Sequence, residues 1–450
     1  MKQKKHAISI GRKETVLVHC NAAITRYQMD PLMTLTLVSH SHCSPALFGA
    51  LAASVAQAED ALLMHLPAEF YPAQGADSVQ MVAAKGALVA SGLVWYERIT
   101  GREILPASDI DMIIDAARQH AVVVPWHSAF QPAPLRDALL MRAHAAGLSV
   151  RHLAGRHQNG CWHLEDQDGI TTAHGRWRRD EFGRWTNAAS ITPPRTFVET
   201  LRIALLGTEE DHRDVYPATL AALGDAAEAA NIDLHVRFVA PARLDVSQLN
   251  SVDGIVLPGG SDMANVPGQI RAAQQGLASG IPTLGLCLGM QSMATALAQS
   301  VPGLEQANMA EAAPDAAIQS FLPMAGIPGL AIHRLGEQRL HFRHAALEHR
   351  LQNHPTIRCN HRFMLNPDLT QSLETAGMMI TATDSSGQIV DAIDWPQHPF
   401  YQGMQGHPEL SSRAGKPHPL IEDFLLAARA SAKPTPGRQI AVATLHTINH

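Results

Sequence analysis

Pro282-Thr-Leu-Gly-Leu-Cys287-Leu-Gly-Met-Gln291 reads as a short apolar strand, a cramped turn and the first residues of a helix. A cysteine at such an elbow faces the helix's unpaired N–H groups and positive dipole end, which favour thiolate over thiol. Gly285 and Gly289 flank it on either side, where a missing side chain lets the backbone turn sharply and a substrate come close. Cys287 is therefore a candidate nucleophile. An isolated cysteine in a strand-to-helix join is ordinarily a buried structural thiol, so the assignment turns on partners elsewhere in the chain.

Far downstream, Met404-Gln-Gly-His407-Pro-Glu409 places a carboxylate two residues after an imidazole. A cysteine nucleophile needs a base for its proton, and the base needs a third group to fix its tautomer and orientation. His407 and Glu409 have the chemistry for those parts, although a lone His-Pro-Glu is usually a surface turn. A third stretch, Val256-Leu-Pro-Gly-Gly260, is an apolar strand ending in a loop whose N–H groups can face an oxyanion.

These three stretches in this order resemble a class I glutamine amidotransferase domain, and most closely the glutaminase half of CTP synthase. The likeness runs from Leu201 to Ala428. It opens on Arg202-Ile-Ala-Leu-Leu-Gly and nears its end at Gly406-His-Pro-Glu-Leu-Ser-Ser-Arg-Ala-Gly-Lys-Pro-His-Pro-Leu420, a run that, with Arg413, Lys416 and Pro417, is more particular to CTP synthase than to amidotransferases at large. The resemblance implies Cys287 as nucleophile, His407 as base, Glu409 behind it, and Gly260 and Leu288 as oxyanion donors. It also nominates three glutamine contacts: Gln291, one helical turn after the nucleophile; Glu311 in Ala307-Asn-Met-Ala-Glu, for the substrate amino group; and Arg362 in Asn360-His-Arg-Phe. Two departures stand out. Ser261 and Asp262 replace the family's aromatic residue and glycine after Pro-Gly-Gly, and Phe363 replaces a tyrosine.

The local patterns in this half agree with such a domain. Strands are expected at Leu201–Leu206, Leu234–Val239, Val252–Gly260 and Thr283–Leu286, with helices at Pro217–Ala230, Gly268–Ala278 and after Cys287. That repeat makes a doubly wound, flavodoxin-like α/β domain over residues 201–430, with its chemistry at the strand ends. Residues 187–200, with Pro193 and Pro194, read as a linker. The tail at 431–450 reads as a disordered exit followed by an apolar run from Gln439.

Residues 1–190 lie outside the resemblance. Glu14–His19, Leu35–Ser39, Ala61–His65 and Ala121–Pro125 have strand character, and Pro45–Ala58, Ser108–Gln119 and Leu135–Ala146 have helical spacing. This is a separate α/β domain, a site for an acceptor or partner. Turn residues at Asp168-Gly169, between His163 and Trp185, predict a small antiparallel hairpin appendage. CTP synthase carries its ATP- and UTP-binding amidoligase here. Neither Gly-x-x-x-x-Gly-Lys-Ser/Thr nor Gly-x-Gly-x-x-Gly occurs in this segment, so ATP and magnesium for a coupled amination have no motif in this chain. Glutamine hydrolysis itself needs no cofactor.

Ser39-His40-Ser-His42-Cys43 falls at an expected strand-to-helix loop, and His157, Cys161 and His163 add nitrogen and sulfur ligands of a type zinc accepts. With 25 histidines spread through the chain and no paired Cys-x-x-Cys, no metal site is assigned. Hydrophobic residues at 46% and charged residues at 17% describe a globular chain of two or three domains. A formal charge of −6 argues against a nucleic-acid binder, and no apolar run approaches the roughly 20 residues of a membrane span. Five scattered cysteines fit reduced thiols in a cytoplasm, and no signal peptide is expected.

Three readings follow. An amidotransferase hydrolyses glutamine and supplies ammonia to an acceptor on the first domain or on a separate synthetase, with a homo-oligomer compatible. A γ-glutamyl hydrolase does so without an acceptor. A regulatory or scaffold protein binds without turnover, and the complete triad favours an enzyme over it.

Overall fold

The computed structural model describes residues 34–70, 79–190 and 199–432. The readings at 14–19 and 433–450 lie outside them, as do residues 191–198 of the linker. Among the described residues no helix is long and apolar enough to cross a membrane.

The N-terminal layer runs β1 (Thr34–Ser39), α1 (Ala50–Glu59), β2 (Leu62–Leu63), the hairpin β3 (Gln80–Val82) and β4 (Leu88–Ala90), and α2 (Val94–Thr100). It continues through α3 (Ile110–Ala117), β5 (Val122–Trp126), α4 (Ala133–Ala145), β6 (Ser149–Gln158), β7 (Cys161–Glu165), β8 (Trp177–Arg179) and β9 (Trp185–Asn187). Its sheet has the order β2-β5-β1-β6-β7-β8-β9. The first four are parallel and the rest antiparallel. β5 is buried along its whole length, as expected of a strand covered on both faces.

Two sequence expectations are refined here. The antiparallel strands continue the parallel sheet, because the ten-residue β6 pairs with β1 through its first part and with β7 through its second. The helix expected over Pro45–Ala58 is interrupted: Pro45–Leu47 forms one 3₁₀ turn, and Gly49 at φ 85° resets the chain before α1. A Cβ at Gly49 would also lie 2.5 Å from Leu93 Cδ2, so a side chain there would have to displace Leu93 in addition to adopting the positive φ.

The C-terminal layer opens with β10 (Glu199–Leu206), α5 (Ala218–Ala229), β11 (Ile232–Val239), β12 (Gly254–Leu257), α6 (Val266–Ser279), β13 (Thr283–Leu286) and α7 (Leu288–Gln299). Then come β14 (Ala307–Met309), β15 (Ile318–Pro323), β16 (Arg334–Arg339), β17 (His341–Phe342), α8 (Ala345–Arg350) and β18 (Thr356–His361). Last are β19 (Phe363–Leu365), α9 (Pro367–Ala376), β20 (Met379–Thr383), β21 (Val390–Asp394), β22 (Tyr401–Met404) and α10 (Pro419–Ser431). The main sheet has the order β11-β10-β12-β13-β22-β21-β20-β17, parallel as far as β22 and antiparallel beyond. β12 and β13 at its centre are buried throughout, with helices on both faces.

All described residues belong to one compact unit. The apolar core of the N-terminal layer extends onto Ala218 and Ala221 of α5 and onto Leu410. A polar seam runs beside it: Arg98 meets Asp225 at 2.6 Å and Arg184 meets Glu228 at 2.9 Å. Asp225 is fully buried and answered by two arginines, Arg98 and, at 3.3 Å, Arg184, so only the loss of both would leave an uncompensated charge, a change of about 3–5 kcal/mol.

Candidate active site

Cys287 sits between β13 and α7 with φ 52° and ψ −111°, a conformation L-residues rarely adopt. Two glycines permit the elbow. A Cβ at Gly289 would fall 1.9 Å from the Leu257 carbonyl oxygen of β12, and one at Gly285 would fall 2.4 Å from Met293 Sδ. Helix α7 can thus approach the sheet closely enough to aim its first turn at the sulfur. Cys287 N–H donates to Met404 O of β22 at 2.8 Å, tying the elbow to the strand that leads to His407.

His407 arrives from that strand. His407 N–H donates to Arg358 O of β18 at 2.8 Å, and His407 Nδ1 donates to Glu409 Oε1 at 2.8 Å. With Nδ1 engaged, Nε2 is left to face Cys287, whose sulfur lies close enough to act on the charge of the ring. Gly259 lies against both groups: a Cβ there would be 3.1 Å from His407 Cε1 and 3.3 Å from Cys287 Cβ. Burial by itself would lower the pKa of His407, but the Glu409 carboxylate and the Cys287 sulfur raise it well above 6.5. Tyr216 Oη donates to the same Glu409 oxygen at 3.1 Å. Burial, and then that carboxylate, push the Tyr216 phenol well above its ordinary range. Gln405 Nε2 and Asn360 O stand 4.0 and 3.9 Å from Cys287 Sγ.

Cys287, His407, Gly260, Leu288, Gln291, Glu311 and Arg362 line one cavity of about 660 Å³, and Glu409 stands behind the histidine. Leu288 is the first residue of α7, where a backbone N–H has no acceptor within the helix. Gln291 is 2% exposed and its Oε1 has no hydrogen-bond partner, an orphaned acceptor at the cavity wall. Ser261 and Asp262 also line the cavity, and Asp262 caps a short turn by accepting from Ala264 N–H at 3.0 Å. His361, on the same wall, is lowered to about 3 by burial and by Arg334, and stays neutral.

Sequence reasoning did not single out Tyr216, Gly259, Arg358 or Gln405. It also missed that Gln80, Met81 and Val82 of the N-terminal hairpin form part of the cavity wall. Gly259 could have been found from the Pro-Gly-Gly motif. The others carry no local signal.

The histidine stretches of the first layer separate into two groups. His40, His42 and His157 gather around Trp162, with ring centroids 5.7, 6.0 and 4.8 Å away, and His127 joins His40 at 5.0 Å. Cys161 and His163 alternate with Trp162 along β7, so they point to the other face. Among the described residues the one group of three donors close enough for an ion is Cys359, His361 and Asp391. There the Arg334 guanidinium already grips Asp391, with Nη2 2.9 Å from Oδ2.

Residues 214–427 match the model of the family described as glutamine amidotransferase class-I. The chain is 36% identical over 255 residues to a CTP synthase of Trichormus variabilis, covering 54% of this chain and 46% of that one. With a CTP synthase of Acidothermus cellulolyticus it shares 35% over 243 residues, 50% and 44% of the two chains. The chain therefore spans about half the length of the relatives it matches. Among solved structures, the glutaminase domain of Trypanosoma brucei CTPS with bound acivicin is 27% identical with a TM-score of 0.48, covering 52% of this chain and 96% of that one. The family match and the CTP synthase identities mark residues 214–427 as a class I glutamine amidotransferase domain close to that of CTP synthase.

Proposed function

We propose that the chain hydrolyses glutamine to glutamate and ammonia at Cys287, and that the ammonia is supplied to an acceptor on the N-terminal layer or on a partner synthetase. The observation that carries this reading is one cavity holding the Cys287–His407 pair, with Glu409 behind it, together with the orphaned Gln291 oxygen, Glu311 and Arg362. The thiolate attacks the side-chain amide carbon, and the N–H groups of Gly260 and Leu288 hold the developing oxyanion. The His407 imidazolium gives its Nε2 proton to the leaving nitrogen, ammonia departs and a thioester remains. Water then attacks the thioester, with neutral His407 taking its proton. Glutamate leaves, the sulfur departs as thiolate, and Glu409 stabilises the ring as it recharges. Gln291, Glu311 and Arg362 would hold the amino-acid end of the substrate.

A second reading is favoured by the cavity's size. At about 660 Å³ it has room for more than one glutamine side chain, which suits a γ-glutamyl hydrolase without an acceptor. Glutamate release by the full chain, with and without Cys287→Ala, tests the first reading. Wild-type turnover abolished in the variant is the expected result, and equal release by both would end the proposal. Faster turnover of bulkier γ-glutamyl amides than of glutamine would favour the hydrolase.

A further inference from the structure

We infer that Glu97 of the N-terminal layer is a positioning residue for the His407 ring, acting through Arg358, so that the layer is a working part of the thiol site. This rests on the reading of Cys287 and His407 given above, and it extends that site into a region outside the amidotransferase match.

Arg358 belongs to β18 and has two jobs. Its carbonyl oxygen accepts the His407 N–H at 2.8 Å. Its side chain, 10% exposed, reaches into the N-terminal layer, where Nη1 donates to Glu97 Oε2 at 2.8 Å and to Val82 O at 3.1 Å. Arg358 Nε is buried with no hydrogen-bond partner. Glu97 is therefore the counter-charge of this guanidinium among the described residues, and a buried charge stripped of its partner forces its surroundings to move. Glu97 is held in turn, because its Oε1 accepts from Ile104 N–H at 2.9 Å.

The link from Arg358 to the base is tight. A Cβ at Gly406, the residue before His407, would meet the Arg358 carbonyl oxygen at 2.8 Å and Ile357 Cγ1 at 2.6 Å. The segment carrying the histidine thus packs directly against the backbone of Arg358, and a shift in β18 passes to the ring with little slack. The hairpin that supplies Val82 is itself seated on β16, the neighbour of β18, through Glu337 N–H donating to Ala84 O at 3.0 Å.

Two readouts on the full chain test the inference: glutamine kinetics, and alkylation of Cys287 by iodoacetamide followed by peptide mass across the pH range. Glu97→Gln keeps the size and the acceptor for Ile104 but turns a donor toward Arg358. It should lower kcat about tenfold with KM within about twofold, as expected when a reacting group is misplaced by a fraction of an ångström. It should also slow Cys287 alkylation and move its pH midpoint. Glu97→Ala should do the same more strongly. Glu228→Gln, which loosens the seam at Arg184 without touching β18, should lower Tm and leave the alkylation profile in place. A Glu97→Gln chain with wild-type kcat and an unchanged alkylation profile, altered in Tm alone, would overturn the inference. If the wild type releases no glutamate while the alkylation shift persists, the glutamine reading falls and the positioning role stands.

Discussion

At the carboxyl ends of its parallel strands the N-terminal sheet presents imidazoles, whereas the C-terminal sheet presents a thiol, an imidazole and a carboxylate in series. His40 follows β1 and His127 follows β5, with their rings 5.0 Å apart and, among the described residues, no carboxylate hydrogen-bonded to either. Burial and then His127 lower the His40 pKa to about 3, so that ring stays neutral. His407 is buried as well, yet Glu409 and Cys287 raise it. Position at a strand end is common to both sites. What differs is whether an opposite charge answers the ring, and that decides which site can hold a proton for chemistry.

The sharpest test of this contrast removes the answered ring. His407→Gln should lower glutamate release by at least about 10³-fold, since base and proton donor disappear together. A variant retaining most activity would erase the distinction between the two sheets. Next in size, Tyr216→Phe deletes one of two donors to Glu409 Oε1 and should lower kcat about tenfold while KM holds, read from steady-state kinetics.

The pH profile probes the same charge answer without mutation. Glu409, Cys287, Tyr216 and His361 are the titrating groups facing His407. Because its pKa is raised, the imidazolium is present through 6.5 and is lost only as pH climbs past the raised value. The alkaline fall of kcat/KM should therefore lie well above 6.5, and an inflection near 6.5 would count against the pairing. The smallest effect belongs to the unanswered ring. His40→Ala should leave glutamate release within about twofold while flattening the acid dependence of stability. The sign follows from linkage: between 6.5 and about 3 the unfolded chain binds the proton and the folded chain does not. Stability is thus lost as pH falls through that window. His361 and His418, also lowered to about 3 by burial, would keep the C-terminal layer acid-labile in the variant, which unfolding midpoints against pH can show.

Much of the C-terminal layer was legible because its signals are local. Gly285 and Gly289 around Cys287 announce an elbow, and the apolar runs of β10, β12 and β13 announce buried parallel strands. What escaped is pairing over long separations. Tyr216 meets Glu409 across 193 residues and Glu97 meets Arg358 across 261, and neither pair leaves a periodic trace. In the N-terminal layer β6 was missed because Ser149-Val-Arg-His-Leu-Ala-Gly-Arg-His-Gln buries only Leu153 and Gly155, too little apolar alternation to read as a strand. Without it the antiparallel strands look detached from the sheet they extend. Gly49 and the 3₁₀ turn before it were hidden in a run of otherwise good helix formers.

The backbone twist at position 287 has an evolutionary corollary. A residue with a side chain held at φ 52° carries a standing penalty of about 1 kcal/mol or more, which glycine would not. On the thiol chemistry proposed above, a descendant that exchanged this thiol for a hydrogen atom would be inert and also sturdier. Selection for robustness alone would therefore drift toward silence, and only demand for turnover can keep sulfur at the bend.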